Sequence, residues 1–190
     1  MRITLTLLAL LTLALPAAAQ EFRCPPAGQV VELSDGRILR QDGADPADPL
    51  VCLRRSQRRD AAPEAERLFL NALEEGGPAT RAARRAAIAS LLPFRPGAEA
   101  RYTAIHADGS TQTVVFRVHE IAQKTLPAGS FTVVSLLQEA SLPAGKVVAM
   151  HGLDAATGTY LSLWGEFQMG GMHTRAIPAE ASRITPAAGQ

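Results

Sequence analysis

From Phe94 to Ile184 apolar and polar residues alternate with a period of two, and turn formers break the alternation at short intervals. ARYTAIHADGSTQTVVFRV doubles back at Asp108-Gly109, a strong hairpin signal. SFTVVSLLQEA, KVVAMHGLD, TYLSLWGEF and MHTRAI follow as strands, separated by Leu-Pro-Ala-Gly, DAATG and Gly170-Gly171. Short strands with short connections predict an antiparallel meander. Leu-Pro-Ala-Gly occurs twice, ending at Gly129 and Gly145. Proline presets φ at the second place of a turn and glycine suits the fourth, so the repeat is a turn rather than a site.

Upstream the pattern changes. QVVELSDGRILRQDG reads as a hairpin, with Val30, Val31, Leu33, Ile38 and Leu39 apolar around Asp35-Gly36. PEAERLFLNALEEGG carries Pro63 in a first turn, Glu64 and Glu66 near the positive end of a helix dipole, and Gly76-Gly77 as a stop. PATRAARRAAIASLLP repeats that plan from Pro78 to Pro93. The fold class expected is α+β: an antiparallel meander of about 5–7 strands, two helices on one face, and a small disulfide-closed N-terminal β element. The boundaries are 1–19 for a signal peptide, 20–59 for the disulfide-closed hairpin region, 60–92 for the two-helix segment, 93–186 for the sheet domain and 187–190 for a tail.

The first residues set the compartment. MRITLTLLALLTLALPAAAQ has a charged start, an apolar run from Leu5 to Leu15, Pro16 and an alanine triplet, the layout of a cleaved export signal. Cleavage after Ala19 leaves a periplasmic protein with no integral membrane segment. It is not a lipoprotein, because Cys24 lies too far from the cleavage point. Loss of Arg2 makes 18 basic residues against 18 acidic ones, and a neutral chain lacks the basic footprint of a nucleic-acid binder. Cys24 and Cys52 are the only cysteines, and in an exported chain they pair.

Charged clusters are read conservatively. Asp42, Asp45 and Asp48 are spaced by three, unlike a calcium loop with ligands at every second residue, and serve as turn formers. Arg81, Arg84 and Arg85 share a helix face, and Arg54, Arg55, Arg58 and Arg59 form a second basic group. Both are read as solvated and balanced by nearby acids.

Pro93, Gly97, Tyr102, Pro127, Gly129, Phe131, Asp154 and Gly158 together resemble exported bacterial β-sheet domains of unknown function with a PAG-x-F signature, over about half the chain. Leu153 stands where those domains usually carry an aromatic residue. The resemblance implies a β fold and an exported location more than an activity.

Register decides the candidate site. A two-residue turn at Pro143-Ala144 places Leu136 opposite His151, and the DAATG turn places Leu153 opposite Tyr160. His151 then faces Ser162, and Ala149 faces Trp164. One face, with Phe131, Val133, Leu137, Val148, Met150, Leu161, Leu163 and Phe167, is expected to be core. The other gathers Leu136, Gln138, His151, Tyr160, Ser162, Trp164, Glu166, His173 and Arg175. From this face we expect a non-catalytic exported protein that binds a lipid-like small molecule or an envelope protein. Tyr160 and Trp164 supply contact area, and Gln138, His151 and Arg175 fix polar groups. The alternatives are a serine hydrolase using Ser162 and His151, and a purely structural interaction subunit. No cofactor or metal is expected, since His151 and His173 lie two strands apart, too far for shared chelation.

Overall fold

The computed structural model describes residues 21–189 apart from Ala107 and Ile177, so the expected signal peptide lies outside the described residues. Five strands come first: β1 (Val30–Leu33), β2 (Ile38–Asp45), β3 (Asp48–Gln57), β4 (Glu64–Phe69) and β5 (Leu73–Glu74). One helix, α1 (Pro78–Ala89), separates them from β6 (Glu99–Ile105), β7 (Thr111–Leu126), β8 (Gly129–Leu142), β9 (Gly145–Asp154), β10 (Tyr160–Met169), β11 (Met172–Arg175) and β12 (Ala179–Thr185). Neighbours pair antiparallel in the order β5-β4-β3-β2-β1-β12-β10-β9-β8-β7-β6, with β11 lying off that path against β10.

This corrects the expected fold class. The described residues form mainly one twelve-stranded antiparallel sheet with a single short helix, not an α+β meander of about 5–7 strands under two helices. The segment from Pro63 to Gly77 is a β-hairpin. Leu68, Phe69 and Leu70 are all buried, and three consecutive residues would spread over about 200° of a helix, too wide for one packed face. A strand instead pairs Leu68 with Cys52, Phe69 with Val51 and Glu66 with Arg54, and the chain reverses through Leu70 and Asn71, both at positive φ. Asparagine tolerates that conformation better than most side chains.

The C-terminal strand sews the two halves together. Its far end pairs with β1 through Val31↔Ile184, and its near end pairs with β10 through Leu163↔Ala179. The N-terminal β element is therefore continuous with the meander, and one apolar core runs from Val31 and Leu39 through Phe69 and Ile88 to Phe116 and Leu161. The disulfide Cys24–Cys52 is present and ties the segment before β1 to β3.

α1 begins with Pro78, favoured in a first turn because its missing N–H has no helical partner there. Thr80, Arg84, Ala87 and Ile88 form its buried stripe, turned toward β6 and β7. Both Leu-Pro-Ala-Gly repeats are tight turns, pairing Leu126 with Gly129 and Leu142 with Gly145. At Gly145 the reason for glycine is space, since a Cβ there would overlap the carbonyl oxygen of Gln168. No described helix is long and apolar enough to cross a membrane.

Candidate functional site

Alternation along β3 puts Cys52 and Arg54 on the same side, and both are buried. Arg54 is held from three directions. Its Nε donates to Glu66 Oε2 at 2.5 Å, its Nη1 donates to the Asn71 carbonyl at 2.9 Å, and its guanidinium lies 5.0 Å from the centre of the Tyr160 ring. Asn71 Nδ2 donates to the Gly158 carbonyl at 3.2 Å, so the β4–β5 turn is fastened to the turn that leads into β10.

Behind this lattice is His151, only 8% exposed, with Nδ1 3.5 Å from the Tyr160 hydroxyl. Burial first, then the charges of Arg54 and Arg84, lower the imidazole pKa to about 4, so the ring is neutral at physiological pH. Burial pushes the Tyr160 hydroxyl up to about 12, so it keeps its proton and shares with Nδ1 a hydrogen bond in which either group is able to donate. The other ring nitrogen, Nε2, is buried and has no hydrogen-bond partner. Over these groups opens a cleft of about 420 Å³, lined by Arg37, Arg54, Glu66, Arg67, Glu74, His151 and Tyr160 with Leu68, Ala72 and Leu163.

Of the residues singled out from sequence, the structure unites three and separates two. Leu136 does pair with His151, which puts Gln138, two residues along, on the same face. Tyr160 pairs with Leu153 and joins them. Then a β-bulge at Leu161 inserts one residue, so that Ser162 lies opposite Gly152 and Trp164 opposite Met150. From that point the face is reversed. Trp164 and Arg175 are on the outer side, where Arg175 stacks 5.1 Å over the indole and Glu166 meets His173 at 2.6 Å. Ser162 and His151 point to opposite sides, so the two groups of the hydrolase alternative are not brought together. The inner face is the one holding Leu136, His151 and Leu153, the reverse of the expected arrangement around Leu137 and Met150.

Gly152 makes the bulge possible, because a Cβ there would collide with Ser162 Oγ and press on Val133 at 3.3 Å. Gly152→Ala should therefore cost about 1–3 kcal/mol, and adding Ser162→Ala should restore a large part of it. Urea unfolding of the two single variants and the double variant measures that coupling. Trp164→Ala, by contrast, should cost only about 0.5–1 kcal/mol beyond lost packing area, since it removes one surface cation–π pair.

Arg54, Arg84, Gln41 and Asn71 were not among the residues chosen from sequence. Arg54 shares the parity of buried Cys52, and Arg84 falls on the Thr80–Ala87–Ile88 stripe of α1, so both positions were marked by periodicity. Gln41 sits beside Arg54 in register, and neither atom of its side-chain amide has a partner. Three other arginines of those clusters behave as solvated partners of acids: Arg55 bonds Asp42, Arg81 bonds Glu75 and Arg85 bonds Asp48. Asp45 meets Arg67, and both Asp45 and Asp48 also cap turn amides. Among the described residues there is no group of three or more histidine, cysteine or acidic side chains placed to hold a metal ion.

The fold and its buried cluster define a β-sheet protein with a polar interior reached through a cleft. No protein-family model matches the chain, and neither a curated protein nor a solved structure matches it. At neutral pH an imidazole titrating near 4 and a phenol titrating near 12 are poorly matched to proton transfer. Fixed donors beside apolar walls are suited to holding a molecule in place.

Proposed function

We propose that this is a non-catalytic, exported binding protein that takes a lipid-like small molecule into the cleft over His151 and Tyr160. The observation that carries the reading is His151 Nε2, a buried ring nitrogen without a partner at a cleft whose other walls include Leu68 and Leu163. Buried polar atoms are nearly always satisfied, and a ligand atom would satisfy this one. A disulfide and the export layout of residues 1–19 support an oxidising compartment such as the periplasm, as does the resemblance to exported PAG-x-F domains. The sheet face supports binding through Gln138, His151 and Tyr160, while Trp164 and Arg175 serve the outer surface.

Native mass spectrometry of protein purified from an exported preparation tests this directly. Extra mass that is lost on denaturation is expected in the wild type and in Trp164→Ala, and is expected to be reduced in His151→Leu. A bare chain mass, together with no binding of added amphiphiles, would turn the protein into an interaction subunit.

A further inference from the structure

The cleft over His151 has a polar floor, an apolar wall and a ring of charges, in a volume of about 420 Å³. That volume falls in the usual range for small-molecule sites, roughly 300–1,000 Å³. The floor is the His151–Tyr160 pair. Nδ1 is engaged with the Tyr160 hydroxyl at 3.5 Å, while Nε2 is buried and has no partner. The wall is Leu68, Ala72 and Leu163, and the charges are Arg37, Arg54, Arg67, Glu66 and Glu74.

The charges decide which head group the floor is able to receive. Each arginine of the lining already meets a carboxylate: Arg37 bonds Asp35, Arg54 bonds Glu66, and Arg67 bonds both Asp45 and Glu75. Arg54 is also tied to the Asn71 carbonyl and stacked on Tyr160, so its own partners hold it in place. The other charged lining residue, Glu74, is exposed and acidic. A carboxylate or phosphate entering the cleft finds no uncompensated cation among the lining residues. An ammonium at the floor meets the guanidinium of Arg54, 5.0 Å from the Tyr160 ring centre. Either ion would give up its water without gaining a free counter-charge, which is costly.

The floor itself suits a hydroxyl. The imidazole is neutral at physiological pH, and either partner is able to donate in the Tyr160–Nδ1 bond. Nε2 is therefore either a bare acceptor or an N–H donor. A carboxylate satisfies only the donor form, and an ammonium only the acceptor form. A hydroxyl satisfies both, because its one oxygen donates and accepts.

We infer that the molecule in the cleft carries a neutral hydroxyl head on an apolar body, as a long-chain alcohol does and a fatty acid or an alkylamine does not. The hydroxyl bonds His151 Nε2, and the body lies along Leu68, Ala72 and Leu163. This names the head group for the binding reading and rests on it.

The test is titration of the full mature protein with 1-decanol, decanoate and decylamine near neutral pH, with the His151 ring nitrogens followed by NMR. The alcohol is expected to bind at least about tenfold more tightly than either ion and to move the Nε2 resonance. His151→Leu is expected to bring the three affinities within about threefold of one another. Decanoate or decylamine binding as tightly as the alcohol would overturn the neutral head and leave the binding reading standing. Tight binding of the alcohol with both ring nitrogens unmoved would do the same, since the hydroxyl would then lie away from the imidazole. If none of the three binds, the binding reading falls as well. Should His151→Leu fail to fold, the wild-type affinities and the ring resonances decide the matter by themselves.

Discussion

Replacing Cys24 and Cys52 together by alanine should lower the unfolding free energy by about 3–4 kcal/mol, measured by urea unfolding as a lower midpoint, with a steeper slope because the uncrosslinked denatured chain exposes more surface. The two cysteines are 28 positions apart, and on the chain-entropy account closing a loop of that length removes that much freedom from the unfolded chain. The loop encloses β1 and β2, so the cross-link limits the part of the sheet whose pairing partner, β12, is farthest away in sequence. It also holds the segment that places Phe22 edge-on to Phe94 at 6.5 Å. Adding reductant to the wild type should reproduce the loss. An unchanged midpoint would show that the segment before β1 is held by its packing alone.

Lowering the pH should weaken the fold through His151 by about 3 kcal/mol, the free energy of shifting one group by roughly two and a half pH units. A histidine in the unfolded chain titrates near 6.5, whereas burial and then Arg54 and Arg84 lower this one to about 4. Between those values the unfolded state binds a proton that the folded state does not. The contribution is therefore fully present above about pH 6.5 and is lost progressively as the pH falls toward 4. Carboxylates such as Asp45, Asp48 and Glu99, held below their usual range by hydrogen bonds and arginine partners, add a loss at still lower pH. The difference between wild type and His151→Gln isolates the histidine: it should slope between pH 6.5 and 4 and be flat above 7. A flat difference throughout would mean that the ring is not buried as a neutral group.

Both effects arise from residues visible in the sequence, yet only one was predictable from it. A chain with just two cysteines needs no tertiary information to suggest their pairing. The Leu142–Gly145 turn is enough to set His151 opposite Leu136, but it does not say that their face is the buried one. The cause is Leu161, one extra residue in β10 that carries Tyr160 to the inside and Trp164 to the outside. A glycine inside the strand KVVAMHGLD was the available sign of that bulge, since interior glycine often marks irregular pairing or a close approach.

What the sequence determined by itself is the set of features written in neighbouring residues. These are the turns at Asp35-Gly36, Pro127-Ala128 and Pro143-Ala144, the helix opened by Pro78, the strand alternation that those turns delimit, and the cysteine pair. Turns and caps depend on φ and ψ preferences spanning a few residues, so they can be read without knowing the fold. What only the tertiary structure decided depends on partners far along the chain. Pairing with β3 made a strand of Glu64–Phe69 despite its helical look, because Arg54 and Cys52 offered cross-strand partners to Glu66 and Leu68. A one-residue slip in β10 reversed a face. The turning of α1 toward Tyr102 and Phe116 took Arg84 out of a surface basic cluster and into the interior. A basic side chain costs nothing unusual until burial removes its water, and burial is a property of the assembled sheet and helix together.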